Sequence, residues 1–117
     1  LNYIPARLSA LFMVAAAGLT GLSTKNAWKI FKRDRYNHAS PNSAQTEAAM
    51  AGALGVQLAG DAWYFGALYK KKTIGDALRP VECEDIRRAN RLMYASAGLL
   101  LIVVMLLYCS FNILTLL

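Results

Sequence analysis

Residues 92–117 read LMYASAGLLLIVVMLLYCSFNILTLL, 26 positions without one charged side chain. About 20 consecutive apolar residues suffice to cross the hydrocarbon core of a bilayer. A buried helix of a soluble core is the competing reading. It would need a larger protein around it, and this chain has only 117 residues. The composition agrees with the membrane reading: 56% of the residues are hydrophobic and the mean hydropathy is +0.32. Closer to the N-terminus, residues 8–24 (LSALFMVAAAGLTGLST) form a second uncharged run, 17 residues long. That is the short end of the spanning range. Arg7 could snorkel to the interface and extend it, and a surface or re-entrant helix is the alternative. The expected fold is therefore an all-α integral membrane protein. Two membrane-embedded helices (1–24 with its lead-in, and 92–117) are joined by a helical, basic loop over 25–91.

The formal net charge is +6, with 13 Lys and Arg against 7 Asp and Glu. Nucleic-acid modules share such a balance but usually lack long uncharged runs, so a nucleic-acid partner is not expected. Twelve of the thirteen basic residues fall between Lys25 and Arg91. Lys25, Lys29 and Lys32 follow the first run, and Arg87, Arg88 and Arg91 precede the second. The positive-inside rule makes this loop cytoplasmic, with both ends of the chain on the opposite side of a cell membrane crossed more than once. Cys83 and Cys109 lie in different environments, so no disulfide is expected. Leu1 is not a Met, and the chain is expected to be a piece of a longer protein.

Within the loop, NAWKIFKRDRYNH (26–38) reads as an amphipathic helix, suited to anionic headgroups or to a phosphorylated ligand. HASPNS (38–43) reads as a turn, because Pro41 disfavours helical geometry at Ser40. Asn42 or Ser43 can cap a helix running to about Val56, with Glu47 as an acid in its first turn. A helical Gly costs about 1 kcal/mol against Ala. Gly52 and Gly55 therefore imply a close neighbour, either another helix packed small residue to small residue or a flat ligand. Residues 60–80, with three Gly and four aromatic residues, read as a loop with turns and room for a short helix. VECEDIRRANR (81–91) opens the last helix with acids favoured by the helix dipole. No Walker loop, dinucleotide glycine motif, zinc-protease motif or nucleophile elbow occurs.

The blocks LNYIPARL (1–8), SPNSAQTEAAMAGALGVQLAG (40–60), YFG (64–66), IGD (74–76) and EDIRRANRLM (84–93) have a further meaning. In this order they resemble the adenosylcobinamide-phosphate synthases, membrane enzymes of cobalamin biosynthesis, over essentially the whole chain. The resemblance implies that this is the C-terminal part of a longer enzyme, dependent on the N-terminal remainder. It also implies ATP-dependent amide formation between adenosylcobyric acid, a corrinoid, and (R)-1-aminopropan-2-yl phosphate, with Mg²⁺. Phosphorylation would turn a poor carboxylate electrophile into an acyl phosphate open to the amine.

Such a site needs cations for phosphates and an acid for Mg²⁺ or for the ammonium proton. Under the resemblance Glu47, Asn42 and His38 are catalytic candidates, with Glu47 also the candidate Mg²⁺ ligand. Asn2, Tyr3, Arg7, Ser40, Gly52, Gly55, Tyr64, Asp76, Arg79 and Arg88 are substrate-binding candidates. Membrane lipid and other membrane enzymes of cobalamin assembly are the expected partners. A non-catalytic membrane sensor or regulator of the same fold is the alternative, and the polar group Ser40, Asn42 and Glu47 argues for the enzyme.

Overall fold

The computed structural model describes residues 1–117. Helix α1 (Tyr3–Ala17) passes through a 3-10 turn (Gly18–Thr20) into α2 (Thr24–Asp34), and α3 (Ser43–Leu54) follows. Four short strands come next: β1 (Leu58–Ala59), β2 (Ala62–Tyr64), β3 (Ala67–Tyr69) and β4 (Thr73–Ile74). Helix α4 (Asp85–Leu116) ends the order.

Local chemistry sets the boundaries. Gly21 takes φ 77° in the turn after α1. Ser23 then caps α2, its Oγ accepting from Asn26 N at 3.1 Å, which satisfies one of the free N–H groups of a helix start. Gly55 closes α3 in the left-handed conformation at φ 72°, its N–H reaching the carbonyls of Ala51 and Gly52, as helix ends commonly do.

Helix α3 is the centre of the packing. Ala49 and Ala53 join Ala10, Met13, Val14 and Ala17 of α1, Phe31 of α2 and Leu92 of α4 in one core. Ala44, Ala48 and Ala51 join Ile30 of α2 and Ile74 of β4 in a second. Alanine surfaces let the three helices approach closely. At Gly52 α2 and α3 nearly touch, since a Cβ there would stand 2.6 Å from the Asn26 carbonyl oxygen. The small-residue spacing of Ala48 and Gly52 thus serves helix packing, as expected from sequence.

Two contacts fix directions. Arg7 donates to Asn42 Oδ1 at 3.3 Å, and Ser23 N donates to Ala53 O at 3.4 Å. Helices α1 and α3 therefore run the same way, with α2 returning between them. Helix α4 begins beside the end of α3, where Arg79 Nε donates to Leu54 O at 3.1 Å. Further along, Leu100 shares a groove with Ser9 and Thr46. It thus runs antiparallel to α1 and continues past the end occupied by Arg7 and Asn42. Beyond Leu100 its apolar side chains, Leu101 through Leu117, are largely exposed.

Three expectations change. Residues 60–80, read from sequence as a loop with turns and room for a short helix, hold no helix, and two antiparallel ladders, β1 with β4 and β2 with β3, occupy 58–74, so the chain is mostly rather than wholly helical. The second helix stops at Asp34, and its apolar residues Ala27, Ile30 and Phe31 face protein, not headgroups. The third change concerns α1. Two helical stretches, Tyr3–Thr20 and Asp85–Leu116, are long and apolar enough to cross a membrane. The sequence puts Arg7 across the membrane from the loop, whereas the structure sets it against Asn42 of that loop. Helix α1 lies along α2, whose Lys25, Lys29, Lys32 and Arg33 are costly in hydrocarbon. It packs with the loop helices in one bundle while keeping the length and apolarity of a candidate span.

Candidate functional site

The end of the bundle that holds the start of α1 and α3 gathers most of the expected residues. The Arg7 guanidinium stacks 3.4 Å over the Tyr3 ring and donates to Tyr3 O at 3.0 Å and to Asn42. Tyr36 stands nearby, 6.0 Å from Arg7 and 4.6 Å from Arg35. Asn42 is the residue before α3, yet its side chain makes no capping bond and accepts from Arg7 instead. In the adjoining turn, Ser40 N donates to His38 Nδ1 at 2.9 Å. Asn2 precedes α1, exposed and without a side-chain cap bond.

Glu47 is the fifth residue of α3 and not part of its first turn, which removes the capping role. It is half-buried, and its Oε2 is shut off from solvent with no hydrogen-bond partner. A buried acceptor left unpaired costs about 1–3 kcal/mol, so such a group asks for an explanation. One further buried oxygen shares this state, Oε1 of Gln45. The Nε2 of Gln45 is spent on the carbonyls of Arg35 and Pro41, at 3.0 and 3.2 Å, which locks the turn onto α3.

Other expected residues lie elsewhere. Arg79 forms an ion pair with Asp85, which also accepts from Arg88 at 3.0 Å and from Glu82 N at 2.8 Å. Arg88 reaches Glu82 at 3.3 Å as well. Arg79 thus ties the start of α4 to the end of α3, and Arg88 is taken up by acids at the start of its own helix. The Arg79 guanidinium and the Glu82 N–H hold the Asp85 carboxyl far below the usual range. Asp76 pairs with Arg33 at 2.9 Å, which lowers its pKa too. The direction in which a Gly52 side chain would point is filled by α2 backbone, and Gly55 is needed for its positive φ. Both glycines border a cleft of about 370 Å³ with Arg79, at the opposite end of α3 from Asn42. Tyr64 sits on β2, its hydroxyl accepting from Lys71 Nζ at 3.2 Å.

Sequence reasoning passed over two features. Asp34, 4% exposed, accepts from Gly75 N at 2.8 Å, from its neighbour Arg33 and from Asn37. The Arg33 guanidinium holds its carboxyl below the usual range against the opposing effect of burial. Only an acid breaking the basic run KRDR hinted at this. The other is a cavity of about 360 Å³ lined by Tyr36, Asn37, His38 and the three lysines 70–72. Its signal was the run KKK directly after aromatic residues.

Residues 1–93 match the family model described as CobD/Cbib protein. The cobalamin biosynthesis protein CobD of Clostridium perfringens is 46% identical over 112 residues, 96% of this chain and 36% of that protein. The cobalamin biosynthesis protein CbiB of Salmonella typhimurium is 49% identical over 111 residues, 95% of this chain and 35% of its own length. A CobD of Pelobacter propionicus is 56% identical over 95 residues, covering 81% of this chain and 29% of that protein. No solved structure matches. The chain spans about a third of the length of these curated relatives. The model covers most of the chain, including the Arg7–Asn42 corner, the Glu47 helix and the lysine cavity, and the chain belongs to the CobD/CbiB family.

Proposed function

We propose that this chain acts in cobalamin biosynthesis as part of a membrane enzyme that forms an amide. The reactants are adenosylcobyric acid and (R)-1-aminopropan-2-yl phosphate, the nucleotide is ATP, and the product is adenosylcobinamide phosphate. The names of the relatives support the pathway, and the motif resemblance supports the reaction. Residues supplied by the rest of a longer chain complete the site, since the relatives are about three times as long. The bundle lies on the cytoplasmic face of the cell membrane, where ATP is found.

The observation that carries a catalytic reading is Glu47. Its buried, unpartnered Oε2 leaves a carboxylate free to accept a proton or bind a cation. No three His, Cys, Asp or Glu side chains converge anywhere in the chain. Mg²⁺ commonly takes one or two carboxylates and completes its shell with waters and substrate phosphates. Glu47 would be one such ligand. When bound, the ion would offset negative charge building up on phosphate oxygens.

The chain's own residues supply the rest. Glu47 can take the proton that the substrate ammonium must lose before its nitrogen attacks. Arg7, held over Tyr3 and on Asn42, presents a fixed guanidinium for an anionic group of the substrate. Burial keeps water from one Glu47 oxygen, which strengthens any charge interaction there.

The test is Glu47→Gln in the full-length enzyme, assayed for adenosylcobinamide phosphate with saturating aminopropanol phosphate and ATP. A near-isosteric change should leave folding and corrinoid binding intact and lower the rate by about 10²–10⁴. A well-folded variant that keeps more than about a tenth of the parent rate would remove Glu47 from the chemistry.

A further inference from the structure

The long hairpin over 58–74 is interrupted in its middle. Strand β1 pairs with β4 and β2 with β3, but Lys70, Lys71 and Lys72 belong to neither ladder. Opposite them the backbone turns at Ala59 and Gly60, with φ 60° and 104°. Two contacts hold the bulge. Lys71 N donates to Asp61 Oδ1 at 2.9 Å, and Lys71 Nζ lies 4.7 Å from the Tyr64 ring centre while donating to its hydroxyl. The bulge walls one side of the 360 Å³ cavity, and the turn after α2 walls the other. Asn37 anchors that turn by donating to Asp34 and to Thr73 O at 3.1 Å.

We propose that Lys70, Lys71, Lys72 and His38 form a binding site for a phosphate group. None of the three lysines pairs with a carboxylate side chain. Asp61 is the one acid tied to the bulge, so three positive charges meet one negative charge. Ammonium groups bind phosphate as point charges. His38 adds a donor: its Nδ1 accepts from Ser40 N, which leaves Nε2 to carry the hydrogen of a neutral ring. The cavity is far larger than one phosphate, so it admits a phosphorylated organic molecule. It also lies at the end of the bundle beyond which the apolar half of α4 continues, the end that would face headgroups with that half in a bilayer. The chemistry is shared by a soluble phosphate ester and a phospholipid head. The site deepens the amide-forming reading by seating one of its phosphorylated reactants. It rests on that reading for the identity of the ligand, not for the binding.

The experiment uses the full-length protein in neutral detergent micelles. Equilibrium dialysis with labelled inorganic phosphate is one arm, and retention of phosphatidylglycerol from doped micelles is the other. The double variant Lys70→Gln, Lys72→Gln should bind the probe about tenfold more weakly, the loss of at least one charge-assisted contact. Lys70→Arg, Lys72→Arg should restore binding. A charge-matched control, Lys25→Gln, Lys29→Gln on exposed α2 positions, should bind as the parent does. Loss in the phosphate arm identifies a soluble ligand, and loss in the lipid arm alone identifies a headgroup. Equal binding by parent and double variant in both arms overturns the site, as does an equal loss in the control. Neither arm needs turnover. A protein that binds phosphate through these lysines but makes no amide keeps the site and sinks the reaction. Amide formation with unchanged phosphate binding by the double variant does the reverse.

Discussion

Gly52 carries the tightest steric demand in the helical bundle. A Cβ at this position would meet the Asn26 carbonyl oxygen at 2.6 Å, the Ala27 Cα at 2.7 Å and the Ile30 Cβ at 2.9 Å. Two of these are backbone atoms, so α2 as a whole must shift. Asn26 Nδ2 also donates to Gly52 O at 2.7 Å and would move with it. Gly52→Ala should therefore cost about 1–3 kcal/mol, although Ala is the better helix former by about 1 kcal/mol. Gly98→Ala is the control, because nothing lies within 4 Å of a Cβ there. Thermal melts in detergent check both: an equal effect at the two positions would show that propensity, not contact, decides. Gly52 was legible from sequence as a close-approach site. Glu47 was legible only as an acid with two roles, since one turn of helix separates a cap from a buried carboxylate.

At the scale of elements, carboxylates act as clamps. Asp34 ties the end of α2 to Gly75 beside β4, Asp76 reaches back to Arg33, and Asp85 ties α4 to the Arg79 segment. All three have lowered pKa values, through Arg33 for the first two and Arg79 for the third. A carboxyl with a depressed folded-state pKa gives stability that is complete above its unfolded value of about 3.9. That stability is lost as the pH falls through the folded value. The melting temperature should thus stay level from neutral pH down to about 5 and fall below about 4. Asp34→Asn should remove about 1.5–3 kcal/mol, the worth of a hydrogen bond to a charged group, and flatten part of the acid decline. An acid profile identical to the parent's would show that Asp34 does not hold the hairpin. No local pattern announces the longest of these clamps, because their partners lie up to 43 residues away (Asp76 with Arg33).

For the whole molecule, the bundle carries the charged side chains and the projecting half of α4 carries none. Arg7 packs with the loop, so all thirteen Lys and Arg sit on the bundle side of the 92–117 run. With the 92–117 run taken as a crossing, the positive-inside rule predicts that the bundle faces the cytoplasm. Cys83, exposed just before α4, should react with an impermeant thiol reagent only after the cytoplasmic face is opened. Labelling of Cys83 on intact cells would reverse the topology. A Cys109→Ser background keeps the second exposed thiol from confusing the result.

The sequence by itself determined the long uncharged apolar helix at 92–117, the start of α3 near Asn42, the role of Gly52 in packing and the family resemblance. Each rests on composition, on a local cap or turn, or on a contiguous motif, and none needs a distant partner. The tertiary structure decided what those elements do to one another. It moved Arg7 to Asn42, because the alanine faces of α1 and α3 bury best side by side. It took Arg79, Arg88 and Asp76 into ion pairs, since acids brought close by folding compete with any ligand for a guanidinium. It built the hairpin over 58–74 from strands of two and three residues, too short to show an alternating pattern. By folding that hairpin against the turn after α2, it turned a run of three lysines into one wall of a cavity that His38 shares.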